Sequence, residues 1–152
     1  MQVSLFGAKD YHYSLELQQD FPETLYKDRN FALRVKLIDK EDGKESRNSN
    51  MINLCLGVAT ESGEWVTVTR DGAPFMKGRL ESELYHGEAG FVKLAPRDVS
   101  RSLPGKVVNI VVYAKPSILK YAGQSALEES VDPELIEPLI IKAVPIMAKR
   151  RD

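Results

Sequence analysis

Two histidines, one cysteine, a run of loop carboxylates, a single tryptophan and two sets of cationic side chains are what this sequence offers to chemistry. Catalytic and metal sites built on histidine need partners at defined spacing, and neither His12 nor His86 has one. His86 lies beside Gly87, where a hairpin turn is expected, so a structural role is the favoured reading. Asp39, Glu41, Asp42 and Glu45 resemble a calcium ligand set, but their oxygens do not alternate ahead of a glycine as an EF-hand loop requires. A solvated hairpin loop is expected there. The glycines form neither a phosphate-binding G-x-x-x-x-G-K-[ST] nor a G-x-G-x-x-G arrangement, and the nucleophile elbow G-x-S-x-G is missing too. Loop acids occur, but nothing selects a pair held across a cleft for glycoside hydrolysis. The chain therefore offers no catalytic constellation, and no metal, cofactor or enzymatic activity is expected.

Trp65 admits two readings, a stacking platform for a carbohydrate or other small ligand, or a packed residue between two sheets. The cations fall into two candidate binding loops, with Arg70, Lys77 and Arg79 around the first and Arg97, Arg101 and Lys106 around the second. Loops at one end of a rigid β scaffold can converge into a recognition surface. Asp71, Glu81, Glu83 and Asp98 are interleaved with them, which makes ordinary surface charge the plainer reading. Lys149, Arg150 and Arg151 form a small basic tail, read as a solvated end.

The elements that must carry these groups read as strands. Tyr13, Leu15 and Leu17 alternate with polar residues at the period of two of a half-buried strand, and Phe31, Leu33, Val35 and Leu37 do so still more cleanly. Ile52, Leu54, Leu56 and Val58 repeat the pattern around Cys55, which its leucine neighbours mark as a buried strand thiol. Trp65 to Thr69 is a short β-rich run ended by Asp71-Gly72, and a further strand is expected around Arg79 to Leu84. Between Gly90 and Ala114 two strands flank a turn-rich loop. The second of these, Val107 to Tyr113, is apolar on both faces, as suits a strand covered on both sides. Ser125 and Glu128 have capping-box spacing, which predicts a short helical insertion near Ser125 to Glu137. Leu139 to Met147 closes the chain as a strand that Pro138 and Pro145 confine to a sheet edge.

Length and composition fit one ordinary globular domain: 152 residues, 43% hydrophobic, 28% charged, net charge -1. No global basic field exists, so a nucleic-acid partner would have to be held by local basic loops. The single cysteine, the lack of a secretory leader pattern and the lack of a glycosylation sequon favour cytoplasm or nucleus, and no apolar run is long enough to span a membrane. The expected organisation is one domain over 1–152, with an N-terminal arm (1–12), a loop or short helix insertion (117–137) and a basic tail (148–152).

Strands at this spacing, punctuated by Gly, Pro, Asn and Asp, predict an all-β protein, an antiparallel sandwich or barrel with the sandwich favoured, and a family resemblance makes the expectation an immunoglobulin-like antiparallel sandwich of seven to nine strands. The order FALRVKLID, INLCLGVA, GRLESELYHGEAGF, KLAPRDVS and the strand after Gly105 resembles immunoglobulin-like domains of Rel-type and STAT-type regulators and of plant calmodulin-binding transcription factors. Glu137-Pro138-Leu139-Ile140-Ile141 is similar to the closing strand of such domains. The resemblance implies a non-enzymatic, intracellular recognition module of a regulatory or transcription-associated protein. Protein partners are favoured, acting through loops or the edge after Pro138. A DNA-binding domain and a small-ligand or carbohydrate module are the alternatives, and the oligomeric state stays open.

Overall fold

The computed structural model describes residues 10–46, 52–115 and 133–148. Over them the protein is all-β, with strands β1 (Tyr13–Leu17), β2 (Leu25–Tyr26), β3 (Phe31–Asp39), β4 (Asn53–Ala59), β5 (Met76–Lys77), β6 (Glu81–Glu83), β7 (Glu88–Pro96), β8 (Val108–Ala114), β9 (Leu139–Val144) and β10 (Ile146–Met147). One four-stranded sheet has the order β1-β3-β7-β5 and a second the order β6-β4-β8-β9. Every pairing within them is antiparallel. The short strands β2 and β10 pair in parallel.

Alternation explains how the sheets meet. In β3, Phe31, Leu33, Val35 and Leu37 are buried while Arg34 on the other face is exposed. Leu54, Leu56 and Val58 of β4 and Val108, Ile110 and Val112 of β8 join the same buried cluster as Leu33, Val35, Leu37, Phe91 and Leu94 from the first sheet. Each such side chain contributes on the order of 2 kcal/mol by leaving water. A one-residue slip in any of these ladders would turn its apolar set outward, which pins the register. All of Val108 to Val112 is buried, so β8 is covered on both faces.

The stretch Gly90 to Ala114 does hold two strands joined by a loop, and because β7 and β8 belong to different sheets the loop 97–107 carries the chain from one sheet to the other. Trp65 to Thr69 does not form a strand. Only isolated bridges, Trp65 to Ala59 and Val68 to Pro74, are made there. Pro74 has no N–H to extend that ladder. The turn at Asp71-Gly72 is closed by Thr69 and Ala73 backbone groups at 2.7 Å. The expected final strand is divided at Pro145: β9 is the edge of the second sheet, and β10 crosses to β2. Most of the expected helical insertion lies outside the described residues, and its described end, Pro133–Leu135, is a single 3-10 turn.

Two bulges and one tight turn shape the ends. Lys93 (φ 55°) and Ala143 (φ 58°) sit where the β3/β7 and β8/β9 registers shift. His86 (φ 50°) and Gly87 (φ 80°) form the two-residue turn between β6 and β7, flanked by reciprocal bonds between Tyr85 and Glu88. Two positive φ values at the tip are what a two-residue turn of the I′ type demands, and only the Tyr85–Glu88 bridge continues it, since β6 and β7 go on into different sheets.

Candidate recognition surfaces

The face of the second sheet turned away from the shared core is built from the other parity of the same strands. Cys55 stands opposite Tyr113 and Glu81, Gly57 opposite Val111, and Val111 opposite Ile140. Trp65 folds onto this face. Its ring lies over Gly57, where a Cβ would come within 2.5 Å of Cζ3, and meets the Tyr113 ring at 5.6 Å and 48°. Trp65 remains 43% exposed. Around this apolar centre stand charges, among them Glu83 and a Lys115–Glu81 pair at 3.4 Å.

The expectation of Cys55 as a core thiol is corrected by this parity. Leu54 and Leu56 point into the core, whereas Cys55 points out and is partly exposed. Its flanking leucines were misleading because neighbours on a strand face opposite ways. Burial, followed by the nearby Glu81 carboxylate, raises the Cys55 thiol pKa, and a hydrogen bond with Tyr113 works against this. Burial also raises Tyr113, with Cys55 adding to the shift. No residue type or spacing in the sequence marks Tyr113 and Ile140 as part of a site; the one local signal is Gly57, since a glycine inside a strand marks a close approach by another group.

The two cationic loops are tied together at one end of the molecule. Arg70 donates from Nε and Nη2 to the two oxygens of Asp98 at 3.1 and 2.8 Å, and its backbone N–H adds a third bond at 3.2 Å. The Val99 N–H donates to the same carboxylate at 2.8 Å. Asp98 is buried while the Arg70 side chain is 59% exposed. The Arg70 hydrogen bonds hold the Asp98 carboxyl down at about 2 although burial opposes the shift. Ser100 pins the second loop to β10, donating to the Lys106 carbonyl and accepting from the Ile146 N–H at 2.9 Å.

Arg97, Arg101 and Lys106 are exposed on that loop. Lys27 and Arg29, which the sequence reading did not single out, arrive at the same end. The Lys27 N–H bonds to Met147 and the Asp28 N–H to Pro96. Lys77 lies opposite Ala95, one rung inside the end of β7. Arg79 is separate from this group, lining an open cleft of about 340 Å³ with Asn53, Glu81 and Glu83 at the edge of the second sheet. Exposed Asp28 and Asp71 share the cationic end, and a Cβ at Gly105 would collide with the Glu61 carboxylate. Lys149 to Arg151 fall outside the described residues.

The β9 edge is narrow. Leu56 turns its N–H to Leu80, so alternation directs Val112 and Ile110 toward Leu139 and Ile141, leaving the backbone of Ile140 and Lys142 on the open side. The window is closed at its ends by the Glu137 to Tyr13 bond and by the β2–β10 pairing.

His12 is exposed and its backbone bonds to Leu135 and Lys40. His86 packs its ring against Tyr85 at 4.3 Å. In the acidic loop, Asp39 and Asp42 accept from the Glu41 and Lys44 N–H groups, shaping their own turn. Among the described residues, no group of three or more His, Cys, Asp or Glu is placed to hold a metal ion, and no helix is long and apolar enough to cross a membrane. No protein-family model matches the sequence, and no curated protein is significantly similar to it.

Proposed function

We propose that this chain is an immunoglobulin-like sandwich acting as a non-enzymatic recognition module for a protein partner, within an intracellular regulatory or transcription-associated protein. The observation that carries this reading is the outer face of the second sheet, where Trp65 is 43% exposed over Gly57 beside Tyr113. An aromatic centre with a charged rim is the anatomy of a protein interface, and tryptophan and tyrosine are enriched among residues that dominate binding energy. Cys55, the only cysteine, lies on this face and permits a direct test. A maleimide-linked benzophenone on Cys55 should form a discrete covalent adduct in extract of the source cells. The adduct should be lost in Trp65→Ala and when the probe is moved to Val92 on the first sheet in a Cys55→Ser background. No adduct, or one indifferent to Trp65, would refute the assignment of this face.

A second reading, DNA binding, is supported by the Arg70–Asp98 clamp that joins the two cationic loops and by the arrival of Lys27 and Arg29 beside them. Phosphate contacts release counterions, so duplex DNA should bind with a steep salt dependence and weaken on charge reversal at Arg97 and Arg101. Fluorescence anisotropy with a labelled random duplex decides the matter, and absence of binding at low salt refutes this reading.

A further inference from the structure

We propose that the outer face of the first sheet, beside the cationic end, holds an unpaired nucleotide of a single-stranded nucleic acid, its base in a cleft and its phosphate over the neighbouring strands. This rests on the second reading, of that end as a nucleic-acid-binding surface, and names the form of nucleic acid it takes. The cleft, of about 430 Å³, lies between the start of β3 and the chain that leads from β1 through β2, and Gln19, Asp20, Tyr26, Arg29, Asn30 and Phe31 line it. That is the size of a small-ligand site. Its walls are fixed by the fold itself: Phe21 packs edge-on against Phe31 at 5.7 Å, and the Leu25 and Lys27 N–H groups donate to the Pro145 and Met147 carbonyls. Among the described residues, the side chains of Gln19, Asp20, Tyr26, Arg29 and Asn30 make no hydrogen bond or ion pair, so each is open to a ligand.

The chemistry of this lining selects the ligand. Tyr26 offers a ring on which a base can stack. Planar amides, a carboxylate and a guanidinium are the groups that pair with base edges, and Gln19, Asn30, Asp20 and Arg29 supply all three. Those edges are free only where bases are unpaired and can be splayed out of the stack. The phosphate has its place on the next strands. Phe31 pairs with Leu94, and the following residue of β7, Ala95, pairs with Lys77. Met76 and Leu94 belong to the core, so alternation turns Lys77 and Ala95 to the outer face, with Lys77 two strand spacings, about 10 Å, from the β3 wall of the cleft. Arg97 follows at the end of β7, where the Asp28 N–H donates to the Pro96 carbonyl and ties that end to the turn carrying Arg29. Lys77 and Arg97 are exposed and, among the described residues, unpaired, whereas Arg34 and Lys36 farther along the same face are matched with Glu88 and Glu45. A phosphorylated side chain would enter phosphate first and set its anion against Asp20. A saccharide would leave the cations unused.

Fluorescence anisotropy of the full chain at low salt tests this, with a short labelled oligodeoxynucleotide of mixed sequence used as a single strand and as its duplex. The single strand is expected to bind at least about fivefold tighter than the duplex, and Tyr26→Ala to weaken single-strand binding alone by at least that factor. Lys77→Glu should weaken both forms. Circular dichroism checks that the variants are folded, and a second measurement needs no variant: irradiation with a strand carrying 5-iododeoxyuridine should place a crosslink on Tyr26, located by mass spectrometry. A crosslink mapped only outside the cleft overturns the proposal, as does a single strand bound no tighter than the duplex or indifferent to Tyr26→Ala. Duplex binding that still depends on Arg97 and Arg101 would then leave the nucleic-acid reading of this end standing without the cleft. No binding of either form removes both.

Discussion

Asp98→Asn cuts the clamp between the two cationic loops while keeping the size of the side chain. In the folded protein the Asp98 carboxyl is held at about 2, chiefly by hydrogen bonds from the Arg70 side chain, against burial that pushes upward. In the unfolded chain it returns to the ordinary value of about 3.9. At roughly 1.4 kcal/mol per pKa unit, the whole displacement would be worth about 2.5 kcal/mol. The Arg70 side chain is 59% exposed, and water screens its charge, which lowers the expectation to roughly 1 to 1.5 kcal/mol.

The sign follows from the direction of the shift. A folded-state value below the unfolded one means the stabilisation is present in full above about pH 4 and is lost as pH falls through about 2. Urea denaturation followed by far-UV circular dichroism should place Asp98→Asn roughly 1 to 1.5 kcal/mol below the parent at pH 7. The gap should narrow steadily as acid protonates the parent's carboxyl. Arg70→Ala should produce a similar loss, and adding it to Asp98→Asn should cost little more, because the two side chains share one interaction. Equal stabilities at pH 7, or a gap as wide at pH 2.5 as at neutrality, would refute the electrostatic account of the clamp.

Ala143→Gly should raise stability by up to about 1 kcal/mol, since φ of 58° at this bulge is unfavourable for a side chain; an unchanged or lower urea midpoint contradicts this. Asn109→Ala removes the side-chain acceptor of the Ala143 N–H, at 3.1 Å in a part-buried bond, and should cost about 1 kcal/mol by the same measurement. Gly57→Ala should drive the Trp65 ring off its seat, with a red-shifted emission and faster iodide quenching. Unaltered tryptophan emission would show that the ring does not depend on that glycine.

How much of this was legible in the sequence depended on what each pattern had to separate. In β3 one face meets the core and the other meets water, and the alternation from Phe31 to Leu37 reports that contrast directly. In β8 both faces are buried, so its apolar run announced a covered strand without saying that Val111 and Tyr113 look away from the shared core. Cys55 was misplaced for the same reason, through sequence neighbours that face the other way. The meeting of the loops was hidden because it rests on distant pairings: Arg70 with Asp98 across 28 positions, and Leu25 with Ile146. No local period encodes either. Gly57 shows where one non-local contact did leave a trace. Glycine weakens a strand interior, and nothing in the β4 backbone requires it, since Gly57 is not among the positive-φ glycines. What does require it is the Trp65 ring, which no side chain at that position would allow to lie flat on the sheet. A tryptophan left on a surface by accident needs no glycine beneath it; one that is seated there at a cost to strand stability is part of how the face is built.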